Sequence, residues 1–75
     1  MNGQLLNILN EMLEEAGNAP IATLEDSLSL REDLHMDSFM LAELTVRIEE
    51  AFDVDIFEDG IVLTIGEVIA KIEGQ

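Results

Sequence analysis

Apolar residues recur every three or four positions in three parts of the chain, which is the spacing of an amphipathic helix. The first part covers residues 4–16, and Gly17 directly after it is a typical helix end. The second part covers residues 38–52. The third opens at Thr64, which is followed three residues later by Glu67 in the form of a capping box. This pattern predicts an all-α protein.

Two connecting segments lack a sustained apolar period. Residues 17–37 form a long loop, and we expect its scattered leucines to hold it against the core. Residues 57–62 have room for little more than one helical turn, which predicts a short helix there. No internal repeat or second set of helices is present, so residues 1–75 are expected to form a single domain.

The second helix presents two different faces. At 100° per residue, its core face carries Leu41, Leu44, Ile48 and Phe52. The opposite face, here named the docking face, consists of Phe39, Glu43, Val46, Glu50 and, near its edge, Arg47. Apolar side chains set among carboxylates are not what solubility alone favours. We therefore expect the docking face to bind a partner.

The charge of the chain restricts the class of that partner. Seventeen Asp and Glu residues stand against 3 Lys and Arg, for a formal net charge of −14. This charge disfavours nucleic acid and anionic membrane surfaces, because both are recognised through clustered cations. It favours a protein with a basic patch, although an acidic surface also serves solubility alone.

Further features of the composition concern the compartment and the chemistry. The chain has no Cys, which excludes a disulfide, a thiolate nucleophile and a thiolate metal site. Its N-terminus has no positively charged region followed by an unbroken apolar stretch, so neither a signal peptide nor a membrane span is predicted. We expect a free-standing, monomeric protein of the cytoplasm.

Patterns for catalysis and metal binding are weak. Asp53 and Asp55 hint at a calcium loop, but Thr64 stands where the closing Glu belongs. His35 has no Cys partners for a metal site. It precedes Ser38 by three residues, which permits a Ser–His nucleophile pair, yet nothing obvious supplies an oxyanion hole. No Gly-rich phosphate loop is present, since the glycines are dispersed.

Asp37-Ser38 at the start of the second helix is the strongest candidate site. An Asp-Ser pair before a periodic apolar run is also an ordinary helix start, with either residue as the N-cap. A phosphate ester on Ser38 would, however, be stabilised by the positive end of the helix dipole and by free backbone N–H groups. Asp37 opposes the charge of a phosphate, so it is expected to assist a modifying enzyme, for instance through a metal ion.

Nearly the whole chain resembles the acyl carrier proteins. The motifs that carry the resemblance are Asp33-Leu34-His35-Met36-Asp37-Ser38-Phe39, then Leu41, Glu43-Leu44, Ile48-Glu49-Glu50 and Phe52. The resemblance implies a small four-helix bundle with a long loop between helices 1 and 2 and a short third helix. It also implies that Ser38 receives phosphopantetheine from coenzyme A through a magnesium-dependent phosphopantetheinyl transferase, and that the arm carries acyl or aminoacyl groups as thioesters.

The family is not catalytic, and its second helix is read by basic patches on partner enzymes. The resemblance therefore carries partner binding over to Phe39, Glu43, Val46 and Glu50. We expect Arg47, at the edge of the same face, to take part as well. It implies as partners the transferase and acyl-handling enzymes such as acyl or aminoacyl ligases and ketosynthases. An acyl chain that folds back into the bundle would be lined by Leu44, Ile48, Ile56 and Ile65.

The chain also departs from the family. His35 stands where the family usually has Gly, Phe39 where Leu is commoner, and Arg47 adds a cation to a face that fatty-acid carriers tend to keep acidic or apolar. These departures favour a specialised carrier that serves a dedicated ligase, polyketide or peptide pathway over a fatty-acid role. The alternative function is an acidic helical interaction module that binds a basic partner without modification.

Overall fold

The structure, a computed structural model, describes residues 2–58 and 60–74. This part of the chain forms three α-helices: α1 is Asn2–Glu15, α2 is Ser38–Phe52 and α3 is Ile65–Glu73. The all-α class is confirmed, and α2 has the predicted bounds. The β-structure of the described residues is a single isolated bridge between Ser29 and Thr64.

The ends of the helices are closed by local hydrogen bonds. The predicted capping box of α3 is present, because Thr64 Oγ1 accepts from the backbone N–H of Glu67 at 3.2 Å and Glu67 Oε1 accepts from the N–H of Thr64 at 3.0 Å. At the end of α1, Gly17 adopts φ +82° and the N–H of Asn18 donates to the carbonyl of Leu13 at 2.8 Å. This geometry is a Schellman motif, which explains the Gly at this position.

One hydrophobic core joins all three helices, and no polar side chain is buried among the described residues. The helices contribute Leu5, Leu9, Met12, Leu13, Leu44, Ile48, Ile65, Val68 and Ile72. The connecting segments contribute Leu30, Leu34, Met36, Ile56 and Val62. On α2 the innermost pair is Leu44 and Ile48, whereas Leu41 and Phe52 at the edges of the predicted core face are only half-buried.

Residues 16–37, the α1–α2 connection, are attached to both neighbouring helices. On the side of α1, the amide of Asn10 donates to the carbonyl of Ile21 at 2.9 Å and accepts from its N–H at 2.8 Å. On the side of α3, the carbonyl of Leu28 accepts from the N–H of Ile65 at 3.0 Å, and the carbonyl of Asp26 accepts from the N–H of Gly66 at 3.1 Å. The connection is therefore fixed by backbone hydrogen bonds as well as by its buried leucines.

The predicted short helix over residues 57–62 is not found in the described part of that segment, and Asp59 lies outside the described residues. The carboxylate of Asp55 instead accepts from the N–H of Phe57 at 3.0 Å and forms a turn. Beyond the turn, buried Val62 alternates with exposed Ile61, and the carbonyl of Leu63 accepts from the N–H of Leu30 at 2.9 Å. Pairing with the α1–α2 connection holds the backbone from Leu63 onward in an extended conformation, so a helix in the preceding segment could not continue past this point.

The sequence predicts no membrane span, and the lengths and polarity of the helices bear on this prediction. Across residues 2–58 and 60–74, each helix is too short or too polar to cross a bilayer.

Candidate functional site

Ser38 is the first residue of α2, and its side chain is exposed. The sequence left open whether Asp37 or Ser38 caps this helix, and the structure answers the question. Asp37 is the N-cap, because its Oδ1 accepts from the backbone N–H of Met40 at 2.8 Å. Among the described residues, the Ser38 hydroxyl has no hydrogen-bond partner. The hydroxyl is thus accessible and is not needed for the stability of the helix start.

The start of α2 also has electrostatic properties that suit an anion. The N–H of Met40 is occupied by Asp37, and that of Leu41 donates to the Asp37 carbonyl at 2.9 Å. The N–H groups of Ser38 and Phe39 are the first two of the helix and have no acceptor one turn earlier. These donors and the helix dipole favour negative charge beside Ser38. A phosphate ester on this hydroxyl therefore fits the residues present.

The two residues before Asp37 hold the site in position. Met36 is buried, and its N–H donates to the carbonyl of Leu30 at 3.0 Å. His35 is exposed and adopts a left-handed backbone with φ +59°, a conformation that favours Gly over residues with a Cβ. The Gly that the family usually has here would therefore be unstrained. His35 and Ser38, both within the described part, form no hydrogen bond with each other, and a Ser–His pair is not assembled.

The docking face has the exposed apolar residues that its periodicity predicts. Phe39 directly follows the candidate serine and is 76% exposed, and Val46 two turns later is 53% exposed. Glu50 is exposed one turn beyond Val46. These three side chains are free to contact another protein, while their role in binding remains a prediction.

Arg47 and Glu43 are not isolated charges on this face. Arg47 Nη2 donates to Glu43 Oε2 at 2.6 Å, Arg47 Nε donates to the same oxygen at 3.0 Å, and Nη2 also donates to Glu15 Oε1 of α1 at 3.0 Å. The hydrogen bond to Glu43 is the main reason that the pKa of Arg47 is raised. Partial burial opposes this effect, and the charges of Glu15, Glu43 and Glu11 make smaller contributions that raise it. Glu15, Glu43 and Arg47 are named the Arg47 cluster below.

The surface between α1 and α2 forms an open groove of about 270 Å³ beside the candidate serine. Both chain neighbours of Ser38 line it, and the full lining is Met12, Glu15, Ala16, Asp37, Phe39, Met40 and Glu43. A hollow of about 400 Å³ lies at the other end of α2, beside Asp53 and Lys71. Because Ser38 begins α2 and Asp53 follows its last residue, the second hollow is remote from the candidate serine.

The four residues expected to line an internal acyl pocket are all inside the core. Leu44, Ile48, Ile56 and Ile65 are each 0% exposed. They belong to the same packed cluster, and none of them lines the groove beside Ser38 or the hollow beside Lys71. Whether an acyl chain can enter between them stays a prediction.

Sequence reasoning missed Glu15 as a part of this surface. Its ion pair with Arg47 joins residues 32 positions apart, and local periodicity contains no signal for such a contact. It also missed the groove, because the α1 residues that line it were assigned only by their helical pattern. The ion pair of Arg47 with Glu43 could in principle have been predicted, since the two residues are four positions apart on the same helix.

The comparisons with known proteins agree with this geometry. A family model described as phosphopantetheine attachment site matches residues 4–73, which include the whole of α2 and α3. No curated protein and no solved structure matches the chain significantly. With a match over nearly the full length, the chain belongs to the phosphopantetheine carrier family, whose members, the acyl carrier proteins among them, bear a covalently attached phosphopantetheine group.

Proposed function

We propose that this protein carries acyl or aminoacyl intermediates as thioesters on a phosphopantetheine arm attached to Ser38, and presents them to enzymes of fatty-acid, polyketide or peptide biosynthesis. The observation that carries the proposal is the exposed Ser38 hydroxyl, which has no partner among the described residues and stands at the start of α2. The protein acts as a non-catalytic, monomeric carrier of the cytoplasm, with residues 1–75 as one carrier domain.

The residues at the start of α2 would hold the arm at its phosphate end. Ser38 Oγ provides the attachment atom, and the N–H groups of Ser38 and Phe39 offer donors to the phosphate oxygens. When bound, the group supplies a terminal thiol for thioester formation, which a chain without Cys otherwise lacks. Asp37 contributes in two ways: it fixes the helix start through Met40, and its negative charge beside Ser38 assists the magnesium-dependent loading enzyme.

Partner enzymes recognise the docking face of α2. The proposed partners are a phosphopantetheinyl transferase, which loads the arm, and acyl-handling enzymes such as ligases and ketosynthases. Phe39 and Val46 provide apolar anchors close to the attachment site, and Glu50 provides an exposed carboxylate for a basic patch. Glu43 and Arg47 act together, because they are joined by two hydrogen bonds.

Intact mass after loading tests the proposal. The protein is incubated with coenzyme A, magnesium and a broad-specificity phosphopantetheinyl transferase. We expect a mass gain of one phosphopantetheine group that is lost in Ser38→Ala. Ser27→Ala is the matched control, since Ser27 is also exposed but lies in the α1–α2 connection. A gain that survives Ser38→Ala, or a folded wild-type protein that is never modified, contradicts the proposal.

The same experiment separates the alternatives. A folded protein that binds a basic partner but is never modified is the acidic interaction module. Hydrolysis of an activated ester that is lost in His35→Ala would favour the Ser–His hydrolase. No contact in the structure favours the hydrolase, because His35 and Ser38 form no hydrogen bond among the described residues.

A further inference from the structure

The positive charge of Arg47 lies among the residues of the docking face and is shared between two carboxylates. Both its Nε and its Nη2 donate to one oxygen of Glu43, at 3.0 and 2.6 Å. The second hydrogen of Nη2 is available to Glu15, whose Oε1 lies 3.0 Å away. The Arg47 cluster therefore has one net negative charge where two free carboxylates would have two.

We infer that Arg47 determines the specificity of this docking face: it weakens recognition by uniformly basic patches and favours partners whose contact surface is mainly apolar. The inference rests on the proposed carrier function and concerns which partner enzymes bind the docking face. The occupant to which it commits is a protein surface with apolar sites for Phe39 and Val46 and with its cations near the rim, toward Glu50.

The hydrogen bonds of Arg47 support the first half of this inference. Of its five N–H groups, the two on Nη1 have no acceptor among the described residues. No unpaired side-chain nitrogen is buried in the part of the chain that the structure describes, so Nη1 reaches solvent. A lysine or arginine brought to Glu43 by a partner would meet this guanidinium and be repelled.

The exposed apolar residues support the second half. Phe39 and Val46 are seven residues apart, which places them about 10.5 Å apart along the same side of α2. Both side chains are more than half exposed, Phe39 to 76% and Val46 to 53%. With Glu43 occupied by Arg47, these two side chains and the carboxylate of Glu50 are the exposed groups that the docking face offers to a partner. Aromatic and aliphatic anchors of this kind supply much of the free energy of binding at interfaces.

The Arg47 cluster also joins two helices, so a structural role must be separated from an effect of charge. Arg47→Gln and Glu15→Gln both break the same ion pair between α1 and α2. They change the charge of the cluster in opposite directions. If the ion pair only held the helices together, both variants would change partner recognition in the same direction.

The experiment measures kcat/KM for the loading of Ser38 by a broad-specificity phosphopantetheinyl transferase that binds carriers through a basic patch. Intact mass gives the loaded fraction, at low and at moderate salt, for each full-length variant. Arg31→Gln is the matched control, because it removes the same charge from the exposed α1–α2 connection instead of α2. Circular dichroism confirms that each variant is folded.

We expect Arg47→Gln to raise kcat/KM by roughly fivefold at low salt, which is the factor that one unit charge at about 4 Å in water provides. The increase should shrink at moderate salt. Glu15→Gln should lower kcat/KM, and Arg31→Gln should change it less than twofold. An unchanged or lower value for Arg47→Gln, or an equal rise for Arg31→Gln, overturns the inference. If the wild type is not loaded at all, the proposed function fails instead.

Discussion

Asp37 caps α2 through the backbone N–H of Met40 at 2.8 Å, and this single hydrogen bond frees the side chain of the next residue, Ser38. A Ser or Thr at the N-cap would commit its own oxygen to the helix. Here the carboxylate does so, and the hydroxyl one position later remains exposed. The Asp-Ser order therefore separates the stability of the helix start from the chemistry proposed for Ser38.

Two substitutions of Asp37 should separate its cap from its charge. Asp37→Ala should lower the free energy of unfolding by about 1 kcal/mol, because the N–H of Met40 loses its acceptor. Asp37→Asn keeps an equivalent cap and should cost little stability. If the charge assists the loading enzyme, the Asn variant should still be loaded more slowly. Urea unfolding and the loading rate measure the two effects, and normal loading of Asp37→Asn would remove the proposed assisting role.

A charge reversal on the docking face should slow loading without unfolding the protein. Glu50→Lys replaces an exposed carboxylate on α2, where substitutions usually change stability by less than about 0.5 kcal/mol. We expect a lower kcat/KM for the transferase at low salt and a smaller difference at moderate salt. Glu73→Lys is the control, since it makes the same change at the exposed end of α3. Equal effects of the two variants would show that the transferase responds to the net charge of the protein and not to the docking face. Glu43→Lys tests the same face less cleanly, because it also breaks the pair with Arg47.

Gly66 allows the start of α3 to lie closer to Asp26 than a residue with a side chain would permit. A Cβ at this position would lie 3.0 Å from Asp26 Cβ and 3.1 Å from the Asp26 carbonyl oxygen. Gly66→Ala should therefore lower stability by about 1–3 kcal/mol despite the higher helix propensity of Ala. Gly3→Ala in α1 is the control, because nothing lies within 4 Å of its Cβ position. The free energy of unfolding of that variant should rise by about 0.5–1 kcal/mol. Thermal unfolding of both variants would show whether the contact with Asp26 makes Gly66→Ala destabilising.

The left-handed backbone of His35 should make Gly the more stable residue there. With φ +59°, His35→Gly should raise the free energy of unfolding by up to about 1 kcal/mol, as relief of strain exceeds the entropy that Gly loses on folding. Arg31→Gly is the control in the same connection, at a residue without a positive φ. It should lose about 0.5–1 kcal/mol. If both variants are less stable in urea than the wild type, the left-handed backbone of His35 does not lower the free energy of unfolding.

Core and docking face of α2 should respond differently to truncation. Leu44→Ala or Ile48→Ala should lower stability by about 2–4 kcal/mol, because both side chains are completely buried. Val46→Ala on the exposed side should change stability by less than about 0.5 kcal/mol. The midpoint of urea unfolding measures each effect. A loss for Val46→Ala as large as that for Ile48→Ala would be incompatible with the packing described for α2.

Features that depend on neighbours in sequence were predictable, and features that depend on distant segments were not. The capping box of Thr64 and Glu67 and the bounds of α2 follow from residues within one turn of each helix start or along one helix. The short helix expected over 57–62 is followed by a pairing between Leu63 and Leu30, which are far apart in the chain, and this pairing favours an extended backbone over a helix. Local propensity does not register that competition.

The same distinction between local and distant contacts applies to the candidate site. Ser38, and the exposure of Phe39 and Val46, could be read from helical period and from the Asp-Ser pair. The position of Arg47 on the docking face could be predicted too, but not its contact with α1. Its bond to Glu15 requires α1 and α2 to be packed side by side, so the partial neutralisation of the docking face emerges only from the fold.

The backbone hydrogen bonds that tie Asp26 and Leu28 to the start of α3 have a consequence for biosynthesis. They join segments from opposite halves of the chain, so they can form only when the C-terminal part has been made and has docked. The α1–α2 connection leads directly into Asp37-Ser38, and these bonds are its backbone contacts with α3. An enzyme that recognises the serine in its helical setting would thus pass over nascent or misfolded chains. Under the proposed function, loading of Ser38 by such an enzyme would be restricted to chains that have completed folding.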